Sequence, residues 1–259
     1  MSTNYLLLRP QKKYLVFALF RKEINSFFSS LTGYIVLFVF LSGTGLIMWV
    51  FPGSDFNIIE YGYATLDSLF VLAPWLFLFL IPAVTMRMFA EEQKSGTIEL
   101  LLTRPLSDMQ IVAAKYLSAV FLVLIALLPT LIYFISLYYL ATPTGNIDVA
   151  GIFGSYIGLI FLCSGFSAIG IFCSALSSNQ IVAFILAVLF SFFFYMGFEF
   201  IGSIASSPLL NNILSSMGVS LHYKSLSRGV IDSRDIIYFI SLTALFLFLT
   251  RFILEKRKW

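Results

Sequence analysis

Charge is scarce in this chain. Lysine, arginine, aspartate and glutamate together make up 11% of its 259 residues, against roughly 25% in a soluble globular domain. Hydrophobic residues make up 59% and the mean hydropathy is +0.95, so a soluble globule is excluded. The net charge of +3 comes with no tract of clustered basic residues, so no nucleic-acid partner is expected. The single histidine, His222, has no second histidine or nearby cysteine beside it, so no metal site is expected. Cys163 and Cys173 fall in one apolar run. On one helix they stand about 15 Å apart, too far for a disulfide, and they are expected to be reduced packing residues.

Catalytic patterns are missing as well. There is no H-E-x-x-H, no G-x-S-x-G with a histidine in reach and no aspartate pair inside the apolar runs. No glycine is followed by lysine, so there is no P-loop. The chain is therefore expected to be a non-catalytic subunit that binds no cofactor and cannot hydrolyse ATP alone. Ionisable residues are nearly absent from the apolar runs, where each would cost about 2.5–3.5 kcal/mol. A secondary transporter needs such groups as ion ligands. Glu199 is the one interior candidate. Counted along a helix from Ile181 it lies at about 27 Å, near a membrane edge, as an anchor or a group on a substrate path. No cleavable signal peptide is expected, because the first residues are polar and basic with no short apolar segment ending in a small-residue site.

What is present is length in the apolar runs. Six reach the roughly 20 residues needed to cross a bilayer: 31–51, 69–89, 116–140, 152–176, 181–204 and 236–254. Phenylalanine, at 29 residues, suits lipid-facing surface. Thirteen of the sixteen basic residues then share one side. Five precede the first run (Arg9, Lys12, Lys13, Arg21, Lys22). Four flank the second and third (Arg87, Lys94, Arg104, Lys115), and four close the chain (Arg251, Lys256, Arg257, Lys258). Only Lys224, Arg228 and Arg234 lie on the other side. The positive-inside rule makes the thirteen cytoplasmic, with both termini inside.

Three segments are neither span nor simple turn. Over 10–30, Phe17, Phe20, Ile24, Phe27 and Phe28 keep helical spacing opposite Lys22, Asn25, Ser26 and Ser29. This predicts an interfacial amphipathic helix in the lipid bilayer's inner leaflet; the alternative, an extension of the first span, fits poorly with Arg21-Lys22-Glu23. Over 205–235 a stretch too short to span is apolar enough to touch the bilayer, as an outer re-entrant or interfacial hairpin, with Asp232 or Ser233 capping the last span. The polar insert 90–105 follows the second span. On a 100° step Ile98, Leu101 and Leu102 share one face while Glu92, Gly96 and Glu99 share the opposite one. A short amphipathic helix with an acidic outer face is a docking site for a soluble partner; the plainer alternative is a solvated loop. Pro74 and Pro82 just before it, and Pro129 in the third span, are potential kinks.

The insert, Glu91-Glu92-x-x-x-Gly96-Thr97-Ile98-Glu99-Leu100-Leu101-Leu102-Thr103-x-Pro105, resembles the coupling helix of the permease subunits of type-2 ABC exporters, and the resemblance extends over essentially the whole chain. A narrower resemblance, to the gliding-motility-associated (GldF-like) branch, rests on Phe28-Ser-Ser-Leu-Thr-Gly-Tyr34, the run from Ala73 to Arg87, Gly145-Asn-Ile-Asp148, Asn179-Gln-Ile-Val-Ala-Phe184 and Ser227-Arg-Gly-Val-Ile-Asp232. Permeases that mature copper enzymes share part of the pattern.

The resemblance implies an all-α polytopic membrane protein of one domain, 1–259. It also implies a bacterial inner membrane, a partner ATPase carrying the ATP and magnesium, and a second permease half, identical or different. On it, Glu91, Glu92, Gly96, Thr97, Glu99, Leu100 and Arg104 are the ATPase-binding residues. A non-transporting scaffold that anchors an ATPase in a motility or secretion machine is the rival from another class.

Overall fold

The computed structural model of the chain describes residues 12–103, 105–204 and 207–256, and among them the regular structure is helical, with no strand. Helix α1 (Lys12–Phe28) ends before Ser30, whose hydroxyl accepts the Gly33 amide at 3.3 Å and caps α2 (Leu31–Trp49). The serine cap is why the first helix does not run on into the first span. Instead α1 packs along the third span. Leu19 and Phe27 are buried, Phe20, Ile24 and Phe28 are half-buried, and Phe17 stays exposed. The Phe20 ring meets Phe121 at 5.6 Å.

After a short helix, α3 (Ile58–Tyr61), the second span is α4 (Asp67–Thr85) followed by α5 (Arg87–Lys94). Next come α6 (Thr97–Leu102), α7 (Asp108–Leu127), a 3-10 turn at Leu128–Thr130 and α8 (Leu131–Leu140). The third span starts well before residue 116 because Ser107 and Gln110 form a capping box. Ser107 Oγ accepts the Gln110 amide at 3.3 Å, and the Gln110 side chain accepts the Ser107 amide at 3.0 Å. Helix α9 (Val149–Leu176) is the most enclosed span, with α4, α7, α10 (Gln180–Phe192) and α14 (Ser233–Lys256) packed around it. The fifth span continues from α10 through a π-helical turn at Phe193–Gly197 into α11 (Phe198–Ile204). Cys163 and Cys173 are free and buried on α9.

Six helical stretches are long and apolar enough to cross a membrane: Leu31–Trp49, Asp67–Lys94, Asp108–Leu140, Val149–Leu176, Gln180–Ile204 and Ser233–Lys256. If all six cross, α1, the α5–α6 segment and the end of α14 share one face, called the basic face below for the residues that crowd it.

On the opposite face, α12 (Pro208–Ser216) and α13 (Val219–Leu226) fill most of 205–235. Leu209, Leu210 and Ile213 on α12 are exposed, whereas α13 buries Val219, Tyr223 and Leu226. Pro74 has no amide hydrogen, so the Phe70 carbonyl one turn earlier loses its helical donor. The Tyr223 hydroxyl supplies the replacement, donating to that carbonyl at 2.7 Å. Burial pushes the Tyr223 phenol well above its ordinary pKa, which keeps the proton this bond needs. Glu199 accepts from Ser220 Oγ at 2.6 Å and Lys224 Nζ at 3.0 Å, so it ties the fifth span to α13. His222 stacks on Tyr238 at 4.0 Å and contacts Asp235 at 2.7 Å. Asp232 accepts the Arg234 amide at 2.9 Å at the start of α14.

Candidate coupling site

The polar insert is two helices rather than one. Helix α5 carries the second span two turns further, and α6 leaves it after a turn at Ser95-Gly96. Gly96 has φ +70, the left-handed region that glycine enters without steric cost. Ser95 Oγ accompanies the turn, donating to the Glu91 carbonyl at 2.9 Å and meeting Thr97 Oγ1 at 2.8 Å.

The break at Gly96 corrects one sequence expectation. A 100° step cannot be carried across a left-handed residue, so Glu92 does not share a face with Gly96 and Glu99. Glu92 is 7% exposed and points inward. Its Oε1 lies 2.6 Å from Lys22 Nζ on α1, and its Oε2 lies 3.0 Å from Lys115 Nζ on α7. The second contact is an ion pair without hydrogen-bond geometry, because Oε2 has no hydrogen-bond partner. Lys115 also donates to Glu23 Oε1 at 2.7 Å and to the Met88 carbonyl at 2.5 Å, over the Phe89 ring at 5.0 Å. Two lysines and two glutamates thus form a neutral cluster joining α1, α5 and α7. Burial pulls the Lys22 ammonium down, but the hydrogen bonds and charges of Glu92 and Glu23 outweigh it and hold its pKa above the ordinary lysine value.

Other contacts fix α5 in place. Ser174 on α9 accepts the Phe89 and Ala90 amides at 3.0 and 3.2 Å and donates to the Met86 carbonyl at 3.0 Å. Gln93 Nε2 donates to the Ala175 carbonyl at 2.9 Å. Arg87 donates to Ser30, at the junction of α1 and α2. Helix α5 is therefore fastened to α1, α7 and α9 at once.

Helix α6 is held more lightly. Ile98 is buried and Leu101 packs against the core, as their spacing requires; the Leu102 side chain and Arg104 lie outside the described residues. Glu91, Gly96, Thr97 and Glu99 are exposed, and Leu100 projects with 68% of its surface open. Between α1 and α6 lies a cavity of about 370 Å³ floored by Leu15, Leu19, Leu101 and Leu106, with Lys22 and Glu92 at its edge. Of the residues gathered here, sequence reasoning missed the roles of Glu23, Lys115 and Ser174. Lys115, counted there as a flanking basic residue, is fully buried within α7. A charged residue set inside an apolar helix was the available signal.

Six apolar spans, a terminal amphipathic helix and a short exposed helix after the second span define a multi-pass helical membrane protein of the permease class. Residues 7–258 match the ABC-2 family transporter proteins, and the chain belongs to that family. No curated protein matches it. As a member it is a membrane component of an ABC system, whose ATP-binding partner is an ATPase.

Proposed function

We propose that the chain is the membrane half of an exporter driven by a separate ATPase, which docks on α6 and the adjoining tip of α5. The observation that carries this is a contrast. Helix α5 is fastened to three other helices, while α6, joined to it by the short turn at Ser95-Gly96, presents Thr97, Glu99 and Leu100 to solvent, beside the exposed Glu91 of α5. A push on α6 is thereby passed to α1 and to the third and fourth spans together. The ATPase surface that fits is an apolar patch for Leu100 and the α1–α6 cavity, flanked by donors or cations for Glu91 and Glu99. Glu92 is already paired inside the chain and takes no direct part.

The distribution of basic residues supports α6 and both termini lying on the cytoplasmic side, and the sequence resemblance supports a bacterial inner membrane. ATP and magnesium sit on the partner, and a second half, a copy or a different subunit, completes the path. A gliding-motility or secretion system is the branch supported by the sequence resemblance. The rivals are a copper-enzyme maturation system and a scaffold that anchors an ATPase without transporting.

Co-purification of the cognate ATPase is the test. Glu99→Lys and Leu100→Asp should abolish it while membrane insertion is kept, and Glu60→Lys on the opposite face should leave it intact. Retention of the ATPase by both α6 variants overturns docking at this site. Gly96→Trp is the poorer probe, because φ +70 at Gly96 would strain the turn whatever the partner does. Stimulation of hydrolysis by a cargo would separate exporter from scaffold.

A further inference from the structure

The second span is interrupted between α4 and α5 by a side chain from another span. In a continuous helix the Thr85 carbonyl would accept the Phe89 amide. Here the Ser174 hydroxyl accepts that amide instead, at 3.0 Å. It accepts the Ala90 amide as well, at 3.2 Å, and donates to the Met86 carbonyl at 3.0 Å. A side chain inserted into the i to i−4 ladder is a recognised cause of a helix break.

The sequence provides for the insertion. Gly170 lies one turn before Ser174 on the same face of α9, and a methyl group there would overlap Thr85 Oγ1. Glycine at 170 lets α9 approach α4 closely enough for the next residue on that face to reach the ladder. Below the break, the Met88 carbonyl is taken by Lys115, so the interruption is supported from two sides.

From this geometry we infer that Ser174 is a positioning residue for coupling: it keeps the second span divided, so that α5 and α6 turn against α4 as a separate piece. The inference rests on the docking of an ATPase at α6. Two arrangements satisfy the amides at the break. In the divided one, Ser174 accepts from Phe89 and Ala90 and donates to Met86. In the continuous one, the Phe89 amide returns to the Thr85 carbonyl and Ser174 donates to the carbonyl one turn back on its own helix, as serine commonly does. In lipid, where an unsatisfied backbone group costs several kcal/mol, a buried amide can switch only between partners. The serine hydroxyl is the second partner, so push and release at α6 select between the two arrangements.

The experiment uses the permease bound to its ATPase in lipid nanodiscs. Spin labels are placed at Phe79, on the exposed side of α4, and at Lys94, at the end of α5. Pulsed electron resonance compares the nucleotide-free state with the ATP-bound state of a hydrolysis-deficient ATPase. The wild type should shift its label distance by about 2 Å. Ser174→Ala, which closes the ladder, should lose the shift while still co-purifying the ATPase, and Ser174→Thr, which keeps a hydroxyl, should retain it. If Ser174→Ala does not assemble, Ser174→Gly removes the same hydroxyl with less demand on packing and has the same two outcomes. No shift in the wild type, or a full shift without the hydroxyl, overturns the pivot. Failure of the wild type to hold the ATPase overturns the docking site instead.

Discussion

Lys22 and Glu92 are seventy residues apart in the chain and 2.6 Å apart in space. The contact binds the amphipathic α1 to the tip of the second span. Burial opposes the Lys22 charge, and the two glutamates more than compensate, so its pKa is raised in the folded protein. A raised lysine pKa gives stability that is fully present below the unfolded value of 10.5 and is lost as pH rises through the folded one. The thermal stability gap between wild type and Lys22→Met should therefore be flat from pH 7 to about pH 10 and close above it. Half of the Lys22 side chain faces solvent, so the gap should stay below about 1 kcal/mol. A gap that closes instead between pH 7 and pH 9 would contradict the pairing.

Lys115 is the opposite case. It is fully buried and faces Glu23 and Glu92 together. Lys115→Met leaves the two carboxylates with only the more exposed Lys22 beside them and should cost about 3–5 kcal/mol of stability. Adding Glu92→Gln should recover part of that loss, because removing both members of a buried pair is far less costly than removing one. Denaturation of the purified variants in one detergent gives the cycle. Strictly additive losses would mean that the two residues do not act as a pair.

Tyr223 and Pro74 are linked through the Phe70 carbonyl. Tyr223→Phe should cost about 1–3 kcal/mol, the penalty for a buried acceptor left without a donor. In a Pro74→Ala background the amide at 74 can serve Phe70 itself, and Tyr223→Phe should then cost clearly less. Equal costs in the two backgrounds would show that the tyrosine acts by packing alone.

Orientation has a direct measurement. Single cysteines at Asp55 and Lys224 should react with an impermeant thiol reagent added to intact cells, and one at Lys94 should not. Labelling at Lys94 would reverse the assignment of the basic face to the cytoplasm.

The six spans were legible because lipid imposes a length and an apolarity that a run of residues must meet by itself. The buried side of α6 was legible for a similar reason, since Ile98 and Leu101 lie within one uninterrupted helix. Glu92 was misplaced because the periodicity was continued through Gly96, where the backbone turns left-handed. The Ser107 capping box was written in the sequence, but the apolar run drew attention to residue 116. Ser174 and Lys115 belong to another category. A serine on a helix usually bonds its own backbone, so only the packing of α9 against the second span shows what Ser174 does; Lys115 was signalled as a charge inside an apolar helix, but the groups it meets follow only from how α7 packs.

The π-helical turn at Phe193–Gly197 makes the fifth span one residue longer than its rise requires. Each residue adds about 100° to a helix, so that surplus sets the azimuth of everything beyond it. Glu199 meets Ser220 and Lys224 only because α11 has been turned by this amount relative to α10. Removing one residue between 193 and 197 would let the turn relax to ordinary helix with Glu199 still facing α13, whereas straightening the turn with all its residues kept would leave the span apolar and long enough to cross but swing Glu199 away from α13. Hydropathy would register almost no change, yet the segment between the fifth and sixth spans would lose its mooring. In this span, phase rather than composition is the constrained quantity.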